Sequence, residues 1–276
     1  MVKVMSRITD LRLSNSNTSL RKMGALLSLF PNLRALRWDF RERGFSIIDM
    51  LHFDTILEDD SSDSDGDGPR FSMSKALKKA PKGLESLHIE TVPDDYNGVT
   101  ALMPGPLPEE LYGLSWFENL KYLTIDIHRI ISYLDRLVGD RVPPPFEQTL
   151  PSSLVRLDLI YRCTDNSIED NLERRLGPMK VYFQVLRDFA RCCSNTHPNL
   201  RSISIKTFHP VREAGNPSFR YTEEQFERLR SSVDPEIREL VSLFKKVGVT
   251  FEMHFVAFPT TCLGPDQFEP ATNVQI

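Results

Sequence analysis

The chain has 276 residues, of which 40% are hydrophobic and 26% are charged, values that are ordinary for a globular protein with a sizeable core. Its formal net charge is −4, from 34 basic and 38 acidic residues, and this balance argues against a protein that binds nucleic acid or an anionic membrane surface. The N-terminal segment lacks the apolar core of a signal peptide, and no stretch approaches the roughly 18 apolar residues of a membrane helix, so we expect no membrane association.

The four cysteines predict reduced thiols. Cys192 and Cys193 are adjacent, whereas Cys163 and Cys262 stand alone, and this spacing is neither a disulfide framework nor a C-x-x-C zinc pair. Because thiols stay reduced in the cytoplasm and the nucleus, one of these two locations is expected.

One short phrase, written L-x-x-L-x-L, recurs along the chain with Leu, Ile or Trp at its apolar positions. Its last two apolar residues are two apart, so they point to the same side of a β-strand. One such strand cannot bury that side alone, whereas several parallel strands form a continuous core and are joined by long, usually helical crossovers. The copies are residues 8–14 (ITDLRLS), 31–39 (PNLRALRWD), 84–90 (LESLHIE), 119–126 (NLKYLTID), 153–160 (SLVRLDLI) and 199–206 (NLRSISIK).

The segments between these phrases have the apolar spacing of helices. The longest, 222–247, opens with a capping box formed by Thr222 and Gln225, and Pro235 is expected to divide it into two helices. An alternating segment at 249–255 predicts a last strand. The predicted helices are 19–30, 72–80, 108–117, 129–138, 181–193 and the divided 222–247.

The expected fold class is α/β, namely an irregular leucine-rich-repeat-like solenoid with a parallel sheet and helical crossovers over residues 1–256, followed by a C-terminal tail at 257–276. The spacing is uneven, since 25 residues separate Ile8 from Leu33 and 51 separate Leu33 from Leu84, whereas regular leucine-rich repeats run about 20–29. The acidic run 58–70 accounts for the longest interval and is expected to be a disordered insertion. An ordinary doubly wound α/β domain, in which the phrase recurs by chance, is the alternative.

The phrases at 31–40 (PNLRALRWDF), 120–127 (LKYLTIDI) and 197–205 (HPNLRSISI) resemble the leucine-rich-repeat portion of fungal F-box and F-box-like proteins, and the resemblance covers residues 8–256. It implies that the repeats recognise a protein partner or a ubiquitin-ligase substrate, and that a separate F-box docks onto a Skp-type adaptor. The first phrase begins at Ile8, so we expect no F-box before it in this sequence. Residues 107–111 (LPEEL) resemble an F-box opening, but the next phrase follows at Asn119, so a helix start is expected there instead.

The side chains between the apolar positions of each phrase are expected to face outward from the sheet. They are predominantly polar and of both charge signs, as suits the concave, solvent-facing sheet that solenoids use to bind partners. Outward positions also include Asp10, Arg12, Ser86, Ile160, Glu252 and His254. The predicted partner-binding residues are Arg37, Asp39, His88, Glu90, Tyr122, Thr124, Asp126, His128, Arg156, Asp158, Ser204 and Lys206.

No catalytic or cofactor motif is present, so the sequence predicts a protein-interaction module and not an enzyme. A Ser-His-Asp arrangement can be drawn from Ser86, His88 and Asp126, and an α/β enzyme of hydrolase-like type is therefore the alternative, although no G-x-S-x-G, phosphate-binding or HExxH motif accompanies it. Residues 63–68 match the opening of an EF-hand loop, but Ser74 stands where that loop requires Glu. We therefore expect no metal and no cofactor.

Overall fold

The computed structural model describes residues 5–16, 20–42, 73–93, 113–131, 144–162, 172–211 and 223–259. The strands in these ranges are β1 (Asp10–Ser16), β2 (Ala35–Glu42), β3 (Ser86–Pro93), β4 (Tyr122–Asp126), β5 (Arg156–Arg162), β6 (Ser202–Val211) and β7 (Thr250–Pro259). The helices are α1 (Leu20–Leu27), α2 (Met73–Leu77), α3 (Phe146–Thr149), α4 (Leu172–Thr196) and α5 (Glu223–Lys246), with a 3-10 helix at Ile127–Arg129. Among these helices, none is long and apolar enough to cross a membrane.

The seven strands form one sheet in the order β1-β2-β3-β4-β5-β6-β7, and every neighbouring pair is parallel. The predicted α/β class and parallel sheet are therefore confirmed. Each strand lies beside the next one in the chain, so every connection returns the chain to the same end of the sheet before the next strand is added. Helices lie in the connections before β2, β3, β5, β6 and β7.

One side of the sheet carries the core. The first apolar residue of the phrase is buried at Leu33, Leu84, Leu120, Leu154 and Leu200. The last two apolar positions of the same phrases are also buried, at Leu36 and Trp38, Leu87 and Ile89, Leu123 and Ile125, Leu157 and Leu159, and Ile203 and Ile205. These residues belong to one continuous hydrophobic cluster, which β7 extends with Phe251, Met253 and Phe255. The phrase thus supplies equivalent core layers along the sheet.

A tight turn precedes five of the strands and places the first leucine of each phrase. In each turn the leucine N–H donates to the carbonyl three residues earlier, as in Leu33 to Phe30 at 3.2 Å and Leu200 to His197 at 3.0 Å. The same bond joins Leu84 to Pro81, Leu120 to Phe117 and Leu154 to Pro151. A repeated turn fixes the entry of each strand at the same height, which explains why the phrases lie in register.

The polar residue just before that leucine links successive turns. Asn32 Nδ2 donates to the Ser6 carbonyl at 2.7 Å, and Asn119 Nδ2 donates to the Lys82 carbonyl at 3.0 Å. Ser153 Oγ donates to the Leu120 carbonyl at 2.8 Å. Asn or Ser ahead of the phrase therefore satisfies a backbone carbonyl of the preceding turn, which would otherwise need water.

Helix α5 is continuous through Pro235, so the predicted division into two helices is wrong. An apolar stripe at Phe226, Leu229, Val233, Ile237, Leu240 and Phe244 is buried on both sides of the proline. Pro235 itself is exposed. Burial of this stripe outweighs the local cost of about 3 kcal/mol for an interior proline. Gly248, with a φ of 77°, allows the chain to leave the helix towards β7.

Other boundaries also differ from the prediction. Helix α4 begins at Leu172 and not at 181, and α3 was not predicted. Residues 113–117 of the predicted helix 108–117 are not helical, and β7 continues to Pro259, beyond the predicted strand end at 255. The acidic run 58–70, residues 132–138 and Thr222 lie outside the described residues.

Candidate functional site

Opposite the core, the strands present a surface that we call the polar face. Strand alternation places it there, because residues between the buried positions point the other way. Strand register aligns its side chains in two rows across the sheet. The first row is Asp10, Ala35, Ser86, Tyr122, Arg156, Ser202 and Thr250, and the second is Arg12, Arg37, His88, Thr124, Asp158, Ser204 and Glu252.

Charges on the polar face are paired along the strands. Two residues separated by one on a strand share a face, so their side chains can meet. Five of the seven strands carry such a pair. The pairs are Arg12 Nε with Asp10 Oδ1 at 3.6 Å, Arg37 Nε with Asp39 Oδ2 at 2.9 Å, His88 Nε2 with Glu90 Oε2 at 3.0 Å, Arg156 Nε with Asp158 Oδ2 at 2.8 Å, and His254 Nε2 with Glu252 Oε2 at 3.3 Å.

Four predicted residues on β2 and β3 form one cluster, the acid–histidine cluster, consisting of Arg37, Asp39, His88 and Glu90. Asp39 and Glu90 are direct neighbours across the two strands. His88 Nε2 lies 3.5 Å from Asp39 Oδ1, and Arg37 Nη2 lies 3.8 Å from Glu90 Oε2. The hydroxyl of Ser14 on β1 donates to Asp39 Oδ2 at 3.4 Å. The cluster thus contains two carboxylates, an imidazole and a guanidinium.

The second group brought together is Tyr122 and Arg156, which lie directly opposite one another on β4 and β5. Tyr122 is 48% exposed, although it is a large aromatic residue. Arg156 Nε donates to both carboxylate oxygens of Asp158, at 3.0 and 2.8 Å, and Asp158 Oδ1 accepts a bond from Ser204 Oγ at 2.9 Å. These contacts hold the Arg156 guanidinium against Asp158, while the strand register places the Arg156 backbone beside that of Tyr122.

The polar face is covered where β4 and β5 end, contrary to expectation. Asp126 is 0% exposed and Ile160 is 4% exposed. Both residues were predicted to face solvent, and neither does. His128 lies in the 3-10 helix and not on a strand, because β4 ends at Asp126. That helix and the residues after it bury Ile127 and Ile130, which turns this end of the strand into core.

The other predicted site residues keep their place on the strands, with differing access to solvent. Asp39 and Ser204 are buried, and each is hydrogen-bonded to a neighbour on the same face. Exposed residues are Arg37, Tyr122, Arg156 and Lys206, and partly exposed residues are His88, Glu90, Thr124, His128 and Asp158.

A row of charges at the start of the strands was not predicted. Glu85 lies between Arg34 and Lys121, with Oε2 2.9 Å from Lys121 Nζ and Oε1 3.8 Å from Arg34 Nη1. The hydrogen bond and the charge of Lys121 lower the pKa of Glu85 below its usual value. All three residues directly follow the first leucine of a phrase, so aligning the phrases would have revealed the row.

Two other reactive residue types lie away from the polar face. Burial raises the pKa of the Cys192 and Cys193 thiols, so both remain protonated at neutral pH and are poor nucleophiles. Burial lowers the pKa of His197, whose Nδ1 lies 2.9 Å from Thr196 Oγ1. These three residues belong to α4 and the turn that follows it, and their packing is structural.

Comparison of the chain with protein-family models, with curated proteins and with solved structures found no match.

Proposed function

We propose that this chain is a leucine-rich-repeat-like solenoid that recognises a protein partner through its polar face. The observation that carries the proposal is the exposed Tyr122 on the central strand of the polar face, with Arg156 as its direct neighbour on β5. Tyrosine and arginine are among the residues that most often dominate the energy of protein interfaces.

The repeat character is supported by features that recur from strand to strand. The sequential strand order, the turn before five strands and the Asn or Ser contact between turns each repeat with the same phrase. In a solenoid, each unit contacts mainly its neighbours, and the strands expose one extended surface. A doubly wound domain changes strand order at a switch point, and this sheet has no such reversal among its described strands.

A protein partner is favoured over nucleic acid because the polar face has no excess of positive charge. Its ion pairs join arginine or histidine to Asp or Glu, on the same strand or on the neighbouring one. A surface that binds phosphates needs unpaired cations, and its affinity falls steeply with salt. The resemblance to F-box proteins extends the proposal to substrate recognition in an F-box-type ubiquitin ligase, with a Skp-type adaptor as a further partner.

Affinity capture with the double variant Tyr122→Ala, Arg156→Ala tests the proposal. We expect this variant to fold normally and to lose at least about tenfold in partner binding, since loss of one interface hot spot alone commonly has that effect. A matched control replaces an arginine and an exposed apolar residue on the helices, Arg191→Ala with Val241→Ala. Partners should be quantified by mass spectrometry, with Skp and cullin subunits scored separately.

Equal recovery of partners by the wild type and the double variant would refute recognition through Tyr122 and Arg156. Recovery of a partner without Skp or cullin subunits would remove only the ubiquitin-ligase part of the proposal. A salt titration of the captured complex adds a check on partner class, because a steep loss of affinity between 50 and 200 mM salt, by about a thousandfold, is typical of phosphate recognition.

A further inference from the structure

Three side chains with metal-binding atoms meet on the polar face at β2 and β3. Asp39, His88 and Glu90 each offer one ligand atom, and these atoms lie within 4.8 Å of one another. Asp39 and Glu90 are paired across the strands, while His88 precedes Glu90 by two residues and so shares its face. All three positions are therefore fixed by the backbone of a parallel sheet, which is a rigid support for a metal site.

Two of the three ligand separations are close to that around a small tetrahedral cation, and the third, between Asp39 and Glu90, is within 4.8 Å. His88 Nε2 is 3.0 Å from Glu90 Oε2 and 3.5 Å from Asp39 Oδ1. A tetrahedral Zn²⁺ with bonds of about 2.0–2.1 Å holds its ligand atoms about 3.4 Å apart. We propose that Asp39, His88 and Glu90 form a binding site for a first-row divalent cation, best matched by Zn²⁺, with one coordination position open on the polar face.

The charge of the cluster favours a cation. The guanidinium of Arg37 contacts both carboxylates, whose side chains are only 9% and 19% exposed. Carboxylates placed side by side with little solvent repel each other, and a divalent ion relieves that repulsion directly. One imidazole with two carboxylates suits Zn²⁺ and its first-row neighbours better than Ca²⁺ or Mg²⁺, which prefer oxygen ligands alone.

The guanidinium of Arg37 would compete with a metal ion for the Asp39 carboxylate. Its Nε donates to both oxygens of Asp39, at 3.1 and 2.9 Å, so it occupies the lone pairs that a metal ion would need. Its side chain is 45% exposed and has room to turn towards solvent. Ser14 Oγ contacts only Oδ2 of Asp39, so Arg37 is the group that shares Oδ1 with His88. Removing the guanidinium should therefore strengthen metal binding.

The polar face contains a natural control. Arg156 and Asp158 on β5 repeat the pairing of Arg37 and Asp39, but their neighbours on β6 are Ser202 and Ser204, where β3 has His88 and Glu90. Among the described residues, only Asp39, His88 and Glu90 form a group of three or more potential metal ligands whose ligand atoms all lie within 4.8 Å of one another. Asp158→Asn should thus leave metal binding unchanged.

Calorimetric titration of the purified full chain with Zn²⁺, under reducing conditions, tests the proposal without any partner and so independently of the proposed recognition function. We expect one site in the wild type, at least a tenfold loss of affinity in His88→Gln and in Asp39→Asn, and about a tenfold gain in Arg37→Met. Mg²⁺ titrated in the same way should bind at least a hundredfold more weakly.

Two results would overturn the site. One is Zn²⁺ binding of equal affinity in the wild type, His88→Gln and Asp158→Asn, which would assign the ion to other side chains. The other is the absence of binding at millimolar Zn²⁺ in both the wild type and Arg37→Met. Circular dichroism of each variant checks the fold, and a gain in Arg37→Met counts only when its spectrum matches the wild type, because an unfolded chain would expose cysteines that bind Zn²⁺.

Discussion

Replacement of Pro235 by alanine should stabilise the protein. The residue lies on the exposed side of α5, inside a helix that runs without interruption from Glu223 to Lys246. Proline there lacks the N–H that would donate to the Ser231 carbonyl, and its ring crowds that carbonyl. Pro235→Ala restores the donor and removes the crowding, while the buried stripe on the opposite side of the helix is unchanged.

The expected gain is about 2 kcal/mol in the free energy of unfolding. An interior proline costs about 3 kcal/mol relative to alanine. From this gain we subtract about 0.4–1 kcal/mol, because alanine leaves the unfolded chain more conformational freedom than proline does. For a protein of this size, the remaining gain corresponds to an increase of about 4–8 °C in Tm.

Urea unfolding and a thermal scan of Pro235→Ala measure this gain, with Ser231→Ala as the matched control. Ser231 is exposed one turn earlier in α5, so its replacement reports only the difference in helix propensity, about 0.5 kcal/mol or less. A second helix starting at Pro235 would give the opposite result, because proline is favourable at a first helical position. An unchanged or lower Tm in Pro235→Ala would therefore refute the continuous helix.

Two further changes test the turns that precede the strands. Asn119→Ala removes the 3.0 Å hydrogen bond to the Lys82 carbonyl and should lower the free energy of unfolding, measured with urea, by about 1 kcal/mol. The neighbouring change Glu118→Ala should alter it little. Equal effects of the two changes would contradict a linking function of Asn119. Burial lowers the pKa of His197, so the unfolded chain takes up a proton more readily than the folded protein does. The free energy of unfolding should therefore be highest above about pH 6.5 and should fall as the pH is lowered through the folded-state pKa. Urea unfolding of the wild type and of His197→Asn from pH 5 to 8 should show a weaker pH dependence in the variant, and parallel profiles would exclude His197 as the cause.

The strands could be predicted from the sequence because each phrase is a complete local signal. Leu84, Leu87 and Ile89, for instance, give both the two-residue alternation and the entry into the strand. The helix ends were harder to predict, because a residue such as proline favours ending a helix locally even where tertiary packing keeps the helix intact. Pro235 favours a helix end, yet α5 continues through it. Burial of the apolar stripe of α5 decided this case, and the local sequence around the proline does not indicate that burial.

Outward-facing residues were also predictable, but their neighbours were not. Arg-x-Asp at 37–39 and 156–158 and His-x-Glu at 88–90 can be recognised as charge pairs within one strand. The approach of His88 to Asp39, by contrast, depends on the register between β2 and β3. The burial of Asp126 depends on where β4 ends, and the phrase continues to alternate past that residue without indicating an end.

In-strand charge pairing explains how the polar face tolerates its own parallel register. Equivalent positions lie side by side in such a sheet, so Arg12 is placed directly beside Arg37, and like charges in direct cross-strand contact destabilise a sheet. Each arginine is offset by a carboxylate two residues away on its own strand. The same register sets Asp39 beside Glu90, and there the Arg37 guanidinium contacts both carboxylates. Strand β4 carries no such pair in its first two outward positions, so the half-exposed ring of Tyr122 adds apolar surface to the polar face without a charge on these positions that binding there would have to desolvate.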